Sequence, residues 1–253
     1  MTTDDQCIRM EQVCYAVGGR TILTNFDLLL ERGVNRTILG VSGSGKTTIL
    51  KLLLGLIHPQ SGRILINGME ITGQPEAAYR EQRKKIAIVF QGGALFDSMT
   101  VGENVGYRLF EEGRLSEAEI EQIVREKLRF VGVEPALNLY PAELSGGMKK
   151  RVAIARAIAL NPKYLFCDEP NSGLDPQTAI LIDNLLLELT RDFNMTTIIN
   201  THDLNSVMEI GENILFLSEG RHCWEGTREE ILLSDNPVLN DFVFASELMK
   251  KFK

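Results

Sequence analysis

The chain has 253 residues, 44% of them hydrophobic and 24% charged, as is usual for a globular protein with a sizeable core. Its formal net charge of -7 argues against a nucleic-acid binder, because such proteins usually carry a basic balance. The four cysteines are scattered without metal-ligand spacing, which favours a reduced, cytosolic protein.

No targeting or membrane-spanning segment is predicted. Residues 1–5 are polar and acidic, so neither a signal peptide nor a transit peptide is expected. The longest apolar stretches are far shorter than a membrane span. If the protein works at a membrane, we expect another chain to supply the membrane part.

Apolar stretches alternate with helical patterns, which predicts an α/β domain with a largely parallel sheet. Strands are predicted at 26–30, 37–41, 64–66, 86–90, 164–167, 196–200 and 214–218. Helices are predicted at 46–57, 147–160 and 178–193. A turn rich in proline and glycine, at 59–62, ends the first helix.

Residues 92–150 interrupt the strand-rich pattern and are predicted to be mostly helical. Within them, Ser116 and Glu119 have the spacing of a capping box at the start of an amphipathic helix. We therefore expect a single domain over 1–253. Its predicted parts are a catalytic α/β core at 1–91 and 151–226, a helical subdomain at 92–150 and a C-terminal helical tail at 227–253.

The segment 40–47 matches the phosphate-binding P-loop at every fixed position, between an apolar run and leucines at helical spacing. Glycines let successive N–H groups point at an anion, and the helix N-terminus adds partial positive charge. We expect Lys46 to reach the β- and γ-phosphates of a nucleotide and the Thr47 hydroxyl to ligate Mg²⁺. The predicted phosphate-binding residues are Gly40, Val41, Ser42, Gly43, Ser44, Gly45, Lys46, Thr47 and Thr48.

The predicted strand at 164–167 is followed by two carboxylates, Asp168 and Glu169. In a P-loop protein the first carboxylate holds Mg²⁺, usually through water, at the carboxyl edge of the sheet. The second is placed to orient or deprotonate the attacking water. These residues therefore predict metal-assisted hydrolysis of the nucleotide.

The segment 144–148, Leu-Ser-Gly-Gly-Met, precedes a predicted helix. Ser145, Gly146 and Gly147 can offer a hydroxyl and close-approaching N–H groups at a helix N-terminus, which predicts a second anion site. Taken alone, the same residues favour a plain helix cap followed by a glycine turn over an anion site.

The order of motifs along nearly the whole chain resembles that of the ATP-binding cassette (ABC) ATPases. The motifs are the P-loop, Gln91, the segment 144–148, Asp168 with Glu169, the segment 172–175 and His202. The resemblance implies a RecA-like P-loop NTPase fold, in which a mostly parallel sheet carries an inserted helical subdomain. It also implies ATP hydrolysis with Mg²⁺ as the cofactor.

The resemblance assigns roles to single residues. Gln91 would sense Mg²⁺ and the attacking water and contact a transmembrane partner. Glu169 would be the catalytic base, Asp175 would cross a dimer interface, and His202 would contact the γ-phosphate. Thr47, Gln91 and Asp168 would form the metal site.

The resemblance also implies an assembly. In a homodimer of ATPase subunits, each ATP would lie between the P-loop of one subunit and Ser145 and Gly147 of the other. Closing and reopening of this dimer would drive an integral-membrane permease dimer. The chain would then lie at the cytoplasmic face of the inner membrane, attached through the permease and without a nucleic-acid partner.

One position departs from the family pattern. Many members carry an aromatic residue, which stacks on adenine, directly before the glycine of the N-terminal strand turn. Here Val17 precedes Gly18, and the nearest aromatic residue is Tyr15. Tyr15 either stacks on adenine from a shifted position or is a strand residue packed on the core.

The segment 90–101 contains Gly-Ala-Leu-Phe shortly after Gln91 and resembles the ATPases of Mla/Mce-type lipid transporters. Met148, where glutamine is commoner, points the same way. The resemblance implies phospholipid cargo and, as a further partner, an Mce-domain lipid-binding subunit. An importer ATPase for amino acids, metals or another small solute shares every catalytic motif and stays open. A non-transport ABC protein of DNA maintenance or translation is disfavoured, since the chain has neither a long coiled coil nor a second cassette.

The predicted tail carries three phenylalanines and ends in Lys250, Lys251, Phe252 and Lys253. We expect a helix packed on its own domain, with lysines favouring its C-terminal end. The alternative is a contact with a partner subunit or with anionic lipid.

Overall fold

The computed structural model describes residues 8–245. Its strands are β1 (Ile8–Val17), β2 (Arg20–Leu30), β3 (Asn35–Leu39), β4 (Ser61–Ile66), β5 (Met69–Glu70), β6 (Ile86–Val89), β7 (Tyr164–Asp168), β8 (Thr196–Thr201), β9 (Asn213–Ser218) and β10 (Arg221–Gly226). Its helices are α1 (Lys46–Leu53), α2 (Glu76–Arg83), α3 (Val101–Glu112), α4 (Glu117–Phe130), α5 (Gly146–Ile158), α6 (Pro176–Asp192), α7 (Leu204–Ile210), α8 (Arg228–Ile231) and α9 (Pro237–Val243).

The larger sheet has the strand order β10-β9-β3-β8-β7-β6. Strands β6, β7, β8, β3 and β9 are parallel to their neighbours, and β10 pairs with β9 in the antiparallel sense. Parallel strands that are buried on both faces contain near-continuous apolar runs, as residues 164–167 of β7 do. The prediction of an α/β fold with a mostly parallel sheet is confirmed.

A second, antiparallel sheet has the order β2-β1-β4-β5. The predicted strands at 26–30 and 64–66 belong to β2 and β4 of this sheet, and β1, β5 and β10 were not predicted. Register shifts between Met10 and Val13 interrupt the alternation along β1, which removes its period-two signal. An apolar cluster that includes Phe26, Ile38 and Phe166 joins the two sheets.

Helix α5 lies within two residues of its predicted bounds at both ends, and helices α1 and α6 show how such differences arise. Helix α1 ends at Leu53 rather than near 57, and Gly55 beyond it has a left-handed φ of 65°. Helix α6 begins at Pro176 rather than 178, because Asp175 caps its first turn. Short-range periodicity alone does not locate such ends.

Helices α3 and α4 and the start of α5 fall within 92–150. The capping box predicted at Ser116 is confirmed: its Oγ accepts from the N–H of Glu119 at 3.4 Å, and the Glu119 carboxylate accepts from the N–H of Ser116 at 2.8 Å. Ile120 and Val124 of α4 are buried in the cluster that also holds Val105 of α3. The division into catalytic core and helical subdomain stays a prediction.

The described part of the tail packs on the parallel sheet. The rings of Phe242 and Phe216 lie 5.4 Å apart between centroids, and Phe244 is buried beside them. Residues 1–5, Cys7, Phe252 and the three terminal lysines lie outside the described residues. Between residues 8 and 245, no helix has the length and apolar character needed to span a bilayer.

Candidate functional site

The P-loop connects β3 to α1, and its backbone requires glycine. Gly43 and Gly45 have left-handed φ values of 80° and 112°, which other residues rarely adopt. A Cβ on Gly40 would collide with the carbonyl oxygen of Leu217, so this position has no space for a side chain. The predicted strand, loop and helix therefore occur in the predicted order.

Lys46 places its ammonium group inside the loop. Its Nζ donates to the carbonyl oxygens of Gly40 at 2.7 Å and Val41 at 3.2 Å, and it lies 3.3 Å from Oε1 of Glu169. The side chain is only 6% exposed. A buried, rigidly held cation is well suited to a phosphate, because the low local dielectric strengthens the attraction.

Thr47 and Asp168 meet at the carboxyl edge of the parallel sheet, although 121 positions separate them. The Thr47 hydroxyl donates to Oδ2 of Asp168 at 2.8 Å, and Nδ2 of Asn200 donates to Oδ1 of Asp168 at 3.1 Å. Asn200, on β8, was not predicted, although its place at the end of a buried strand next to β7 was an available signal.

A hydroxyl and a carboxylate are the hard oxygen ligands that Mg²⁺ prefers. Between residues 8 and 245, no group of three or more histidine, cysteine, aspartate and glutamate side chains could hold a metal ion. The donors present thus fit a magnesium ion held by one or two protein groups together with water and substrate phosphates. They do not fit a metal cage built from protein alone.

Glu169 contacts two of the other predicted site residues. Its Oε2 lies 2.7 Å from Nδ1 of His202, while its Oε1 faces Lys46. The backbone of Glu169 has a φ of 51°, a left-handed conformation that is costly for a residue with a side chain. A hydrogen bond from its N–H to the carbonyl oxygen of Asn200, at 3.0 Å, holds this conformation. The orientation of the Glu169 carboxylate is therefore set by the backbone conformation of the folded chain.

Lys46, Thr47, Glu169 and His202 border one open cavity of about 440 Å³, whereas Asp168 does not line it. Its lining residues are Arg20, Ile22, Ser42, Gly43, Gly45, Lys46, Thr47, Thr48, Gln91, Glu169 and His202. The structure thus brings most of the predicted phosphate-binding and catalytic residues to a single site.

Arg20 and Ile22 line this cavity but were not predicted, and Tyr15 does not line it. Arg20 and Ile22 lie on β2, just after the turn at Gly18 and Gly19. The P-loop begins at Gly40, 20 positions after Arg20 (40 - 20), so no local signal marked Arg20 as part of the site. Tyr15 is half-buried and packs against the apolar cluster between the sheets, so the structure favours core packing for this residue.

Ser145 caps helix α5, and its Oγ accepts from the N–H of Met148 at 3.3 Å. A Cβ on Gly147 would lie 2.5 Å from Cγ2 of Thr178, so close packing of α5 on α6 requires glycine there. None of the described residues that line the P-loop cavity comes from 144–148. The structure does not bring this segment to the P-loop of the same chain.

Asp175 lies beside that segment, at the start of α6. Its carboxylate accepts from the N–H of Thr178 at 3.0 Å and from the Thr178 hydroxyl at 2.6 Å. These hydrogen bonds lower the pKa of Asp175, so the group is charged at neutral pH. Asp175 does not line the P-loop cavity either.

Helix α5 also holds the segment that follows Gln91. Lys150 donates to the carbonyl oxygen of Gln91, and Arg156 donates to the carbonyl oxygens of Gly93 and Ala94, each at 2.8 Å. Burial lowers the pKa of both basic side chains. The Gln91 amide itself donates to Oγ of Ser172 at 3.1 Å. Lys150 and Arg156 were not predicted as part of the site, since their contacts depend on packing between distant segments.

A family profile described as ABC transporter matches residues 23–172, which is more than half of the chain. The chain belongs to the ABC transporter family. The predicted resemblance is confirmed. Members of this family bind and hydrolyse ATP, and the chain is accordingly an ATPase, the ATP-binding subunit of an ABC transporter.

Curated relatives of this ABC ATPase have different named substrates. The intermembrane phospholipid transport system ATP-binding protein MlaF of Haemophilus influenzae is 38% identical, over 90% of this chain and 87% of the relative. The probable ribonucleotide transport ATP-binding protein mkl of Mycobacterium leprae is 36% identical, over 93% of this chain and 68% of the relative. The methionine import ATP-binding protein MetN of Protochlamydia amoebophila is 42% identical, over 83% of this chain and 62% of the relative.

Solved structures of ATP-binding cassettes share the fold of this ABC ATPase. The ATP-binding cassette MJ0796, in a dimeric post-hydrolysis state bound to ADP and Pi, is 32% identical with a TM-score of 0.79, over 87% of this chain and 98% of that chain. The protein cbiO1 from Clostridium perfringens is 31% identical with a TM-score of 0.84, over 96% of this chain and 97% of that chain.

Proposed function

We propose that this ATPase drives a permease that moves phospholipid between membranes. The observation that carries the proposal is the Gly-Ala-Leu-Phe stretch at 93–96, which resembles the same segment in the ATPases of Mla/Mce-type lipid transporters. The relative named for intermembrane phospholipid transport supports it, because this chain matches 87% of its length. The methionine-import relative is matched over only 62% of its own length.

Import of a small solute is the second candidate. It is favoured by the 42% identity to the methionine-import relative and by the relatives named for ribonucleotide transport. The catalytic motifs do not discriminate between these cargoes, because each transporter needs the same hydrolysis. The cargo is decided by the permease and its partners.

The arrangement of the cavity supports in-line hydrolysis of the terminal phosphate. The P-loop N–H groups and Lys46 would bind the phosphates of ATP, and Glu169 would take a proton from the attacking water. His202, 2.7 Å from Glu169, would donate to the γ-phosphate and keep the carboxylate oriented. Thr47, Asp168 and Gln91 would hold Mg²⁺, which neutralises phosphate charge when bound.

The nucleoside end of ATP would lie toward Arg20 and Ile22. If Gln91, Glu169 and His202 act on the γ-phosphate, the cavity residues on β2 would be left for the ribose and base. A guanidinium can stack on a nucleobase, so Arg20 offers a contact that does not require an aromatic side chain.

The site is proposed to be completed by a second copy of the chain. Ser145, Gly147 and Asp175 lie together around Thr178 rather than on the P-loop cavity. In a homodimer they would face the ATP bound to the other subunit, with Ser145 at a helix N-terminus suited to the γ-phosphate. The dimeric state of the MJ0796 cassette supports this arrangement.

A complementation experiment tests this sharing of sites. Lys46→Ala and Ser145→Arg are each expected to abolish ATPase activity as homodimers. A mixed dimer should retain one intact site, formed by Lys46 of one subunit and Ser145 of the other. We expect a mixture of the two variants to hydrolyse ATP well above the sum of the separate variants. Mixed dimers that form, shown by two affinity tags, and remain inactive would contradict shared sites.

The segment 92–101 is the proposed contact with the permease. Phe96 is 42% exposed, and Arg156 holds the adjacent backbone while lying 5.8 Å from the Phe96 ring centroid. An exposed aromatic ring on a loop whose backbone is held by hydrogen bonds is suited to a contact with another protein. Attachment there would place the chain at the cytoplasmic face of the inner membrane.

Phe96→Asp is expected to lower co-purification of the permease at least tenfold, because a charge in an apolar contact costs more than about 1.4 kcal/mol. ATP binding should be unchanged. Leu233→Asp is the control, since Leu233 is an exposed apolar residue elsewhere on the surface. Equal recovery of the permease with both variants would exclude this docking site.

The cargo is tested on the complex that the tagged wild-type chain recovers from native membranes. Co-purification of an Mce-domain lipid-binding subunit and bound phospholipid, detected by mass spectrometry, is the expected result. Recovery of an amino-acid-binding subunit without lipid would instead establish small-solute import.

A further inference from the structure

Asp183 is a buried carboxyl group that the proposed hydrolysis does not use. It lies on α6, and the residue is 1% exposed. Burial of a carboxyl in the interior is costly unless hydrogen bonds compensate it. An apolar residue at this position would avoid that cost, so the carboxyl needs an explanation beyond packing.

Two buried polar side chains surround this carboxyl. Nδ2 of Asn171 lies 3.3 Å from Oδ1 and 3.2 Å from Oδ2 of Asp183, and the same nitrogen contacts Oγ of Ser206. The Ser206 hydroxyl also hydrogen-bonds Asp183. Asn171 is 6% exposed and Ser206 is 3% exposed, so the three side chains form a closed polar cluster in the interior.

The cluster joins the two segments that carry the catalytic pair. Asn171 follows Glu169 by two positions and precedes Ser172, which accepts a hydrogen bond from Gln91. Ser206 follows His202 by four positions, on the first turns of α7. The two segments are therefore connected twice, by the 2.7 Å contact between Glu169 and His202 and by the contact between Asn171 and Ser206.

The charge on Asp183 depends on pH in the range where enzymes are assayed. Burial raises its pKa to about 6, against the lowering effect of the hydrogen bonds from Ser206 and Asn171. Asp203, which caps α7, and Glu209 of α7 raise it further through repulsion. The buried thiol of Cys167, on β7, also faces this carboxyl. Asp183 is thus mostly a carboxylate above neutral pH and mostly a neutral acid below about pH 5.

We propose that Asp183 is a positioning residue for ATP hydrolysis, whose carboxylate holds Asn171 and Ser206 so that Glu169 and His202 stay in contact. The proposal rests on the roles proposed above for Glu169 and His202. As a carboxylate, Asp183 accepts from both partners at once. As a neutral acid it accepts through one oxygen only and donates through the other, so the Ser206 hydroxyl has to turn to accept this proton and gives up Asp183 as its own acceptor.

Asp183→Asn tests this role, because the amide has the shape of the acid without its charge. At about pH 7.5 we expect kcat to fall roughly tenfold or more with KM for ATP nearly unchanged, since misplaced catalytic groups slow the chemical step rather than binding. Toward about pH 5.5 the wild type acquires the neutral acid, so the ratio of the two kcat values should approach one. Glu188→Gln removes a charge from an exposed position of the same helix and should match the wild type at every pH.

Stability separates positioning from a merely structural role. The folded pKa of Asp183 is above its unfolded value, so its contribution to stability is present at low pH and is lost as pH rises through about 6. The stability of Asp183→Asn relative to the wild type should therefore improve with rising pH while its relative activity falls. Denaturant unfolding at several pH values measures this.

Two outcomes would overturn the inference: a kcat ratio that stays constant with pH, or relative activity and relative stability that move together. The exchange variant Asn171→Asp with Asp183→Asn restores one carboxylate and one amide, and it should recover part of the lost kcat. Its complete inactivity, with folding intact, would also count against the proposal. Glu169→Gln separates a failure of this inference from a failure of the proposed function. Slow turnover of that variant would support Glu169 as the base even if Asp183 proved to have no effect.

Discussion

Glu169→Gln is expected to bind ATP and to hydrolyse it about 10²–10⁴-fold more slowly than the wild type. Glutamine keeps the shape of the side chain but cannot accept a proton from water. The substitution also removes a negative charge 3.3 Å from Lys46, where the phosphates would bind. ATP affinity should therefore be unchanged or higher, and ATP-bound dimers should accumulate.

Single-turnover hydrolysis and retained nucleotide measure this prediction, with Glu188→Gln as the matched control. If Glu169→Gln turned over at the wild-type rate, another group would have to accept the proton. If it failed to bind ATP, the carboxylate would be required for folding of the loop rather than for catalysis. Both results would overturn the assignment of Glu169 as the base.

Lys46→Ala is expected to remove detectable ATP hydrolysis and to weaken ATP binding about 100-fold or more, since a charge-assisted hydrogen bond contributes roughly 1.5–3 kcal/mol and Lys46 would make two. The change also leaves Glu169 facing the phosphates without its neutralising partner. Repulsion between the carboxylate and the phosphates then adds to the loss.

Lys51→Ala is the control, because Lys51 lies exposed on the same helix, α1, and carries the same charge. Titration with ATP should separate the two variants clearly. Near-normal ATP affinity in Lys46→Ala, with the fold intact, would show that nucleotide binds elsewhere. A similar loss in both variants would point to a general effect of net charge.

The amino-acid sequence by itself determined the family, the order of the motifs and the parallel sheet. The P-loop is recognisable because its function depends on consecutive backbone N–H groups, and glycine at 43 and 45 is required by the local left-handed backbone. The helix that Ser116 begins could be predicted for the same reason, since a capping box involves only neighbouring residues. Buried parallel strands also carry their own local signal.

Only the tertiary structure decided which distant side chains meet. Lys46 and Glu169 are brought together by the pairing of β3, β8 and β7, and Arg20 reaches the cavity because the antiparallel sheet packs beside the P-loop. The cluster of Asp183, Asn171 and Ser206 has no local pattern, since its members lie on different elements. Periodicity and propensity describe contacts within a few residues, whereas contacts between elements depend on how complementary surfaces pack.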